Sequence, residues 1–593
     1  MTDMGEPRVP QIKNLLFGEL EYIDLGPEEP AIEDDRVSCS IAIRLNKKYP
    51  CDDFQIRLTP TNPFSEESEK VFSAHNADSI SLDRKKGKFL HFHLDELTCK
   101  TNYRYELLYK GTPLAINGTA GTAARREIVI RTPPARQDPQ PVKIAVGGDQ
   151  ERHEQFGALG HCFDLDNASH TQLLYQHIAD EGNFEASAED DIESQPYQMM
   201  IHLGDLFNGE FFFSWRNLFR RGRSVFEVGV DSLKAFRQHL ASDFGKPAGN
   251  GLAHLAYGVY AVADDHDTGQ NKAKPPVTPS EYRRRENMEK AFHEMLLMPG
   301  FLSQPRDENN PDGPIGRAGP YYKKRVGQSE FFFLHNRYTN SAKNADAWLL
   351  GEEQWQWLEQ SLANSKASNK VLISPLPLVM GKDPGEDYRA HWQEWQRLMQ
   401  LCRNHRIATI LTADSHNYSC SELHVRAHHD DEPWVVHQHL VGTLGGSKQY
   451  VSDEELQCIN SPGRPPLLPK GEGFDASLYE GSRVTAYFSP GNREALLPDR
   501  TSETKKESQW TAKGQWQNNT HAYASLVFKP AHEAIKRPSS GSEGDSIEMV
   551  WQKNSAAVSS WQVHSSLFTC SDKRNEVVHE PRLDCDYSVT WSV

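Results

Sequence analysis

Alternating apolar and polar positions characterise the first 135 residues of the chain. Five segments there follow the two-residue period of a half-buried strand and are separated by Gly, Asn and Pro: 38–45, 54–58, 88–94, 103–109 and 127–131. Strands at this spacing are typical of a small sandwich. We therefore expect residues 1–135 to form an all-β domain of the immunoglobulin or fibronectin type. The Pro-rich segment 132–139 predicts the boundary with the next domain.

From Lys143 onward the pattern changes to short apolar runs that alternate with longer segments of helical spacing. The predicted helices cover 170–181, 231–242, 281–297, 352–362 and 391–404. This order predicts an α/β (α+β) domain over residues 141–535. Strand-like alternation returns at 523–528 and again near the end, with 548–551 as one arm of a hairpin. We expect residues 540–593 to form a C-terminal β extension.

The composition limits which partners we expect. Of the 593 residues, 37% are hydrophobic and 25% are charged, which is ordinary for a soluble globular chain. The net charge of −17 argues against a nucleic-acid partner other than as a substrate, because such binding usually requires a basic face. The longest apolar run, 371–380, is interrupted by Pro375 and Pro377 and is too short to cross a membrane.

Cysteine usage and the N-terminus bear on the cellular compartment. The nine cysteines are an odd number without a CxxC pair, which favours reduced thiols over a disulfide framework. The first residues lack the basic segment followed by an apolar stretch that is typical of a secretory signal. We therefore expect a cytoplasmic protein.

Four short segments rich in carboxylates each follow an apolar, strand-like run: 146–149, 202–208, 262–267 and 411–416. Open α/β sheets bind ligands just past the carboxyl ends of their strands, and hard cations prefer oxygen ligands. The four segments together therefore predict a metal site. Each segment alone also has an ordinary interpretation, since Gly-Asp after a strand is commonly a turn and Asp264-Asp265 could cap a helix.

Two neighbouring hard cations require several oxygen ligands, and one carboxylate usually bridges them. Asp205, in a Gly-Asp turn, is the natural bridge, and Asp149 and Asn208 could complete the site of the first ion. Asp265 could bind the second ion. Asn271, five residues after His266, is a further candidate oxygen ligand.

The remaining candidates lie in the third and fourth segments. Asp414 and His416 are two residues apart, so both can reach one site only if the backbone turns there. His266 could contact a phosphoryl oxygen or protonate a leaving group, and Asp267 could fix its tautomer. These residue types at strand ends indicate metal-assisted acid–base chemistry.

The motifs resemble those of the PhoD-like (alkaline phosphatase D) branch of the calcineurin-like metallophosphoesterases. They are, in family order, Gly204-Asp205, Asp264-Asp265-His266-Asp267 and Asp414-Ser415-His416. Outside the ligands, segment 350–358 is similar to the family's LGxxQxxWL helix, 334–337 to its LDxR segment and 14–22 to its opening β strand. The resemblance covers residues 12–450 and implies a metallophosphoesterase αββα sandwich after the β domain.

Four positions depart from the family pattern. Asp149 replaces the cysteine of GSC, Asn208 the tyrosine of GDxxY, Asn336 the aspartate of LDxR and Ala413 the glycine of GDVHH. Without Cys and Tyr, the ligand set is almost entirely oxygen, which favours hard ions. The resemblance then implies two divalent or mixed-valence ions, from Mn, Fe, Ca or Mg.

The activity that the resemblance implies is metal-dependent hydrolysis of a phosphoric ester, as a phosphatase or phosphodiesterase on a small phosphorylated substrate. A hydroxide bridging the two ions would attack phosphorus while His266 assists the leaving group. Arg337 is a candidate for a bidentate phosphate contact, with a structural salt bridge as the alternative. The four changed positions leave a second hypothesis open, a catalytically weakened PhoD-like protein that binds a phosphate ligand or acts as a scaffold. A third gives the N-terminal β domain a partner- or glycan-binding role.

Overall fold

The computed structural model describes the chain in segments. These are residues 10–23, 35–61, 68–77, 85–114, 128–150, 173–179, 197–206, 212–213, 226–227, 232–234, 236–237, 240, 252, 255–268, 279–296, 321–337, 349–381, 387–442, 444, 453–488, 520–530, 560–571 and 574–590. Asn208, Asn271 and the predicted hairpin arm 548–551 lie outside the described residues.

Strands make up most of the regular structure. They are β1 (Ile12–Tyr22), β2 (Arg36–Pro50), β3 (Phe54–Pro60), β4 (Lys70–Ser73), β5 (His75–Asn76), β6 (Lys86–Thr98), β7 (Asn102–Tyr109), β8 (Thr112–Pro113), β9 (Ile128–Arg131), β10 (Val142–Gly147), β11 (Met199–His202), β12 (Phe212–Phe213), β13 (Phe226–Glu227), β14 (Gly258–Ala261), β15 (Tyr322–Val326), β16 (Ser329–Phe333), β17 (Asn369–Ile373), β18 (Thr409–Thr412), β19 (Tyr418–Val425), β20 (Trp434–Val441), β21 (Arg483–Phe488), β22 (Thr520–Pro530), β23 (Ser560–Ser571) and β24 (Arg574–Thr590).

The helices are fewer. They are α1 (Pro279–Leu296), α2 (Gly351–Asn364), α3 (Trp392–Asn404) and α4 (Asp453–Asn460), with a helical turn at Asp265–Thr268, 3-10 turns at Cys51–Asp53, Tyr388–His391 and Ala476–Tyr479, and a short helix over residues 173–179. α1, α2 and α3 lie where the helical spacing of the sequence predicts them. The predicted helices at 170–181 and 231–242 are described only in part.

The N-terminal strands form two antiparallel sheets, in the orders β1-β2-β6-β5 and β4-β3-β7-β8, with β9 paired to β7. The segments predicted as strands there correspond to β2, β3, β6, β7 and β9. Apolar residues of both sheets, such as Ile41, Ile56, Phe92 and Tyr105, are buried in one core. Two-residue alternation explains this, since it gives each strand one apolar face. The immunoglobulin or fibronectin label stays a prediction.

Two larger sheets carry the candidate site. In the first, β14-β11-β10-β22-β23-β24, the strands β10, β11 and β14 run parallel, and β22, β23 and β24 are added antiparallel. In the second, β15-β16-β17-β18-β20-β19-β21, the strands β16, β17, β18 and β20 run parallel. The described C-terminal strands thus extend the first sheet. The fold is a mixed α/β, sheet-rich one.

Alternating side chains show how the two sheets pack. Phe331 and Phe333 of β16 belong to a core shared with the first sheet, and the ring of Phe331 meets that of Phe528 on β22 edge to face at 5.9 Å. Phe332, between them, belongs to a second core formed with Trp355 of α2 and Leu398 of α3. The two sheets therefore face each other, and helices cover the outer face of the second.

The Pro-rich segment predicted as a boundary is a packed connection. The Thr132 hydroxyl donates to the Thr98 carbonyl at 2.7 Å, and the Tyr22 hydroxyl donates to the Pro134 carbonyl at 2.5 Å. The Arg136 amide donates to Asp35 Oδ2 at 2.7 Å. These bonds hold the Pro-rich segment against the N-terminal strands. Within the described residues, the helices include none that is long and apolar enough to cross a membrane.

Candidate metal centre

The ends of five strands meet at one edge of the two larger sheets. From the first sheet, Asp149 follows β10, Asp205 follows β11 and Asp265 follows β14; from the second, Arg337 follows β16 and Asp414 follows β18. The loops after the first two strands are bonded to each other, since the Asp149 amide donates to the Gly204 carbonyl at 3.1 Å. This is the edge at which parallel sheets present ligand sites.

Three overlapping groups of side chains there have ligand atoms within 4.8 Å of one another. They are Asp149, Asp205 and His416; Asp205, Asp265 and His266; and Asp264, Asp265 and Asp414. Every residue except the half-buried His266 is buried. Carboxylate oxygens with one or two imidazoles are the donors that Mn, Fe, Ca and Mg accept. The described residues therefore fit a hard metal ion.

Four of these ligand candidates have a left-handed backbone, which residues other than glycine seldom adopt. The φ angles are 54° at Asp149, 54° at Asp205, 68° at Asp414 and 52° at His416. Such angles cost free energy and persist where the surroundings impose them, often at functional sites. At Asp414 and His416 they turn the backbone, and the two side chains belong to different groups among the three.

Two glycines allow this close approach. A Cβ atom on Gly204, whose φ is +107°, would lie 2.6 Å from the Asp264 Cβ. A Cβ atom on Gly442 would lie 2.6 Å from Asp149 Oδ2 and 2.7 Å from the His416 Cα. The sequence alone does not predict the role of Gly442, because its close neighbours Asp149 and His416 are distant from it in the chain.

The carboxylates lie close enough to raise one another's pKa. Burial, followed by the charges of Asp265, Asp264 and Asp149, raises the pKa of Asp205 well above its ordinary value. Burial also raises the pKa of Asp264 to about 7, although the Arg337 guanidinium acts in the opposite direction. A bound cation would offset this repulsion, which is a second reason why the cluster suits a metal.

Arg337 is 1% exposed and lies inside this cluster. Its Nε donates to Asp264 Oδ1, and one terminal nitrogen lies 3.3 Å from Asp414 Oδ1 and 3.9 Å from Asp265 Oδ1. Burial alone would lower its pKa, but these three carboxylates raise it well above the ordinary value. Arg337 is thus a buried, permanently charged cation. Its expected contact with phosphate stays a prediction.

His266 and Asp267 lie in the helical turn after β14. The His266 amide donates to Asp265 Oδ1 at 2.9 Å and to Asp205 Oδ1 at 3.2 Å, while the ring Nε2 lies 3.9 Å from Asp205 Oδ2. Asp267 Oδ2 accepts from the amides of Asp205 and Asp264, each at 2.9 Å. Asp267 therefore fixes the two strand-end loops to each other. Its predicted effect on the His266 tautomer stays a prediction.

A buried network holds the segment that presents Arg337. Gln354 of α2 accepts from the His335 amide and donates to the His335 carbonyl, both at 2.8 Å. Asn336 Nδ2 donates to the Tyr388 hydroxyl at 2.7 Å and Arg285 of α1 donates to the Arg337 carbonyl at 3.2 Å. In the sequence, the motif around Gln354 stands out only by its resemblance to the family's LGxxQxxWL helix. The structure gives its glutamine a positioning contact.

Part of the chain matches a known protein family. Residues 176–462 match the model of the family described as PhoD-like phosphatase. This segment, which contains every candidate discussed except Asp149, is a PhoD-like domain, and the resemblance seen in the motifs is confirmed.

Two solved structures are similar to the chain. A structure of PhoD has 14% sequence identity and a TM-score of 0.53, over 96% of this chain and 91% of that chain. A purple acid phosphatase from yellow lupin (Lupinus luteus) seeds has 11% identity and a TM-score of 0.46, over 95% of this chain and 73% of that chain. The first likeness shows a shared fold, and the second is too distant to support an argument. No curated protein matches the chain.

Proposed function

We propose that the chain is a metal-dependent phosphoric ester hydrolase that acts on a small phosphorylated substrate. The observation that carries the proposal is the meeting of Asp149, Asp205, Asp265, Asp414 and two histidines at one sheet edge. The PhoD-like phosphatase match over most of this edge supports the reaction class. Because the cluster is strongly anionic, a phosphate ester could approach it only when cations reverse the local field.

Asp149, Asp205 and His416 would hold the ion, with Asp205 shared with the neighbouring group that contains Asp265 and His266. A bound hard ion supplies Lewis acidity, which withdraws charge from phosphoryl oxygens and lowers the pKa of water. The residues of the chain hold the ligand candidates in fixed positions. Since the ligand candidates are buried and their loops are bonded to one another, little reorganisation is needed during the reaction.

His266 is the residue that we assign to the leaving group. Its ring is 12% exposed, whereas the ligand candidates around it are almost fully buried. An imidazole at the boundary between the cluster and solvent can donate a proton to an alkoxide as the ester bond breaks. Asp267 acts indirectly, by holding the loops that bear Asp205 and Asp264.

The test is hydrolysis of p-nitrophenyl phosphate and its bis ester by protein that has been loaded with Mn²⁺. We expect turnover that a chelator abolishes, and a loss of about 100-fold or more in kcat for His266→Gln. His428→Gln, at an exposed position, is the matched control and should leave kcat unchanged. No turnover from folded, metal-loaded protein, or equal turnover in the His266 variant, would contradict the proposal.

One observation favours a second candidate, a phosphate-binding or scaffold protein without turnover. Arg337 already neutralises part of the cluster, and the family's Cys and Tyr ligands are replaced in this chain. This candidate predicts saturable binding of inorganic phosphate to the metal-loaded protein in calorimetry without release of p-nitrophenol. Measurable hydrolysis would exclude it.

A further inference from the structure

We propose that Arg337 takes the place of one of the two metal ions expected from the motifs, so that the centre holds a single ion, bound by Asp149, Asp205 and His416. The inference rests on the proposed function and deepens it. It departs from the two-ion expectation because of where the guanidinium lies.

The three candidate ligand groups are not equivalent with respect to Arg337. Among the described residues, its ion pairs are with Asp264, Asp265 and Asp414. Two of the three groups contain at least one of these carboxylates. The group of Asp149, Asp205 and His416 contains none of them. This is the one group of the three in which no candidate ligand forms an ion pair with Arg337.

The guanidinium lies next to two carboxylates of the group that a second ion would need. One terminal nitrogen of Arg337 lies 3.3 Å from Asp414 Oδ1 and 3.9 Å from Asp265 Oδ1. Asp414 follows a strand of the second sheet, and Asp265 follows a strand of the first. A divalent ion between these carboxylates would compete with the guanidinium for the same oxygens and repel its charge. Because an arginine side chain does not lose its proton in proteins, that repulsion could not be relieved by deprotonation.

The position of Arg337 is enforced by its surroundings. Its carbonyl accepts from Arg285, and the two preceding residues are held by Gln354 and Tyr388. The side chain also lies in a buried space, at 1% exposure, so leaving the cluster would mean carrying a charge through the core. We infer that metal loading does not displace the guanidinium.

The test is the number of Mn²⁺ ions per chain, measured by mass spectrometry on full-length protein stripped with chelator, reloaded and freed of excess metal. We expect one equivalent in the wild type and in Arg337→Lys, which keeps the charge. In Arg337→Gln, which removes the charge, we expect two. Arg397→Gln, at a partly exposed ion pair with Glu359 on α2, is the matched control and should stay at one.

Two equivalents in the wild type, or one in folded Arg337→Gln, would overturn the inference and leave the proposed hydrolase intact. No bound metal in folded wild type would overturn the proposed function as well. If Arg337→Gln does not fold, electron paramagnetic resonance of the loaded wild type decides. Hyperfine lines of isolated Mn²⁺ would support the inference, and the spectrum of a spin-coupled pair would overturn it.

Discussion

At the scale of single residues, the centre combines unfavourable features that one bound cation would relieve. Asp149, Asp205, Asp414 and His416 have left-handed backbones, and the side chains of the three aspartates are buried next to other carboxylates. Burial and the repulsion between neighbouring carboxylates both oppose this arrangement, and the ion pair of Asp414 with Arg337 offsets only part of the charge. The arrangement is therefore best explained by the binding of a ligand of opposite charge.

The substitution Asp205→Asn tests this explanation. It removes one charge but keeps the oxygen that accepts from the His266 amide. We expect Mn²⁺ affinity to fall about tenfold or more, while the melting temperature in the presence of chelator stays equal or rises because repulsion is reduced. Calorimetric titration and thermal unfolding measure the two effects. Asp430→Asn, an exposed control, should change neither, and lower stability without metal in Asp205→Asn would contradict the explanation.

The burial of His202 lets us predict how the free energy of unfolding depends on pH. It ends β11, it is fully buried, and both ring nitrogens lack a hydrogen-bond partner among the described residues. Burial lowers the pKa of His202 to about 3. The unfolded chain therefore takes up a proton below its ordinary pKa of about 6.5, whereas the folded chain does not until about pH 3, and stability falls as the pH falls through this window.

The substitution His202→Phe removes that titration and keeps a ring of similar size. The loss in unfolding free energy between pH 7 and pH 5 should shrink by about 2 kcal/mol relative to the wild type. Urea unfolding at both pH values measures it. His428→Phe, at an exposed position, is the control and should keep the wild-type pH dependence. An unchanged pH dependence in His202→Phe would show that His202 does not contribute.

At the scale of elements, helix α2 determines where Arg337 lies. Its apolar residues Trp355 and Leu358 pack on the outer face of the second sheet, and Gln354 on the same buried side bonds to the backbone after β16. One helix therefore both covers a sheet and fixes the strand end that presents a charge to the site. A helix with only apolar residues on its buried side could cover the sheet but could not orient the segment that carries Arg337.

The substitution Gln354→Ala tests the contact. It leaves the amide and the carbonyl of His335 without their partner in the core, so we expect the unfolding free energy to fall by about 2–3 kcal/mol. We also expect a lower kcat, because Arg337 would lose its fixed position. Gln356→Ala, on the exposed side of the same helix, should change the unfolding free energy by less than about 0.5 kcal/mol. Equal effects of the two substitutions would contradict this role.

Elements and ligand candidates could be predicted from the sequence to different extents. Helices α1 to α3 and strands such as β10 follow from apolar spacing, and the acidic residues after the strands are visible as motifs. The pairing of Arg337 with Asp264 could not be predicted, because it joins residues 73 positions apart in the chain. The strand order β18-β20-β19 and the left-handed φ angle at Asp149 could not be predicted from local periodicity either, because both depend on tertiary contacts.

At the scale of the whole molecule, the N-terminal sheets are joined to the larger ones by a common core and by bonds to β15 and its turn. The Gly327 amide, in that turn, donates to the Tyr22 hydroxyl at 2.7 Å, and that hydroxyl donates to the Pro134 carbonyl. Lys324 of β15 donates to Glu21 at 3.1 Å. One residue of β1 thus ties together the N-terminal sheet, the Pro-rich segment and the second large sheet.

The substitution Tyr22→Phe deletes a single oxygen atom and with it both hydrogen bonds of this junction. We expect the unfolding free energy to fall by about 2 kcal/mol, because a buried amide and a buried carbonyl lose their partner. Tyr282→Phe, at an exposed tyrosine, is the control and should be close to neutral. Differential scanning calorimetry measures both. If Tyr22→Phe were as stable as the control, the N-terminal sheets would not depend on this contact.

We infer that the strand ends of the two larger sheets bind a metal ion. Anomalous X-ray scattering from crystals of the Mn²⁺-loaded protein tests it most directly. We expect a strong peak between the carboxylates of Asp149 and Asp205 and the imidazole of His416. Anomalous peaks only at surface carboxylates, with none at this cluster, would contradict it.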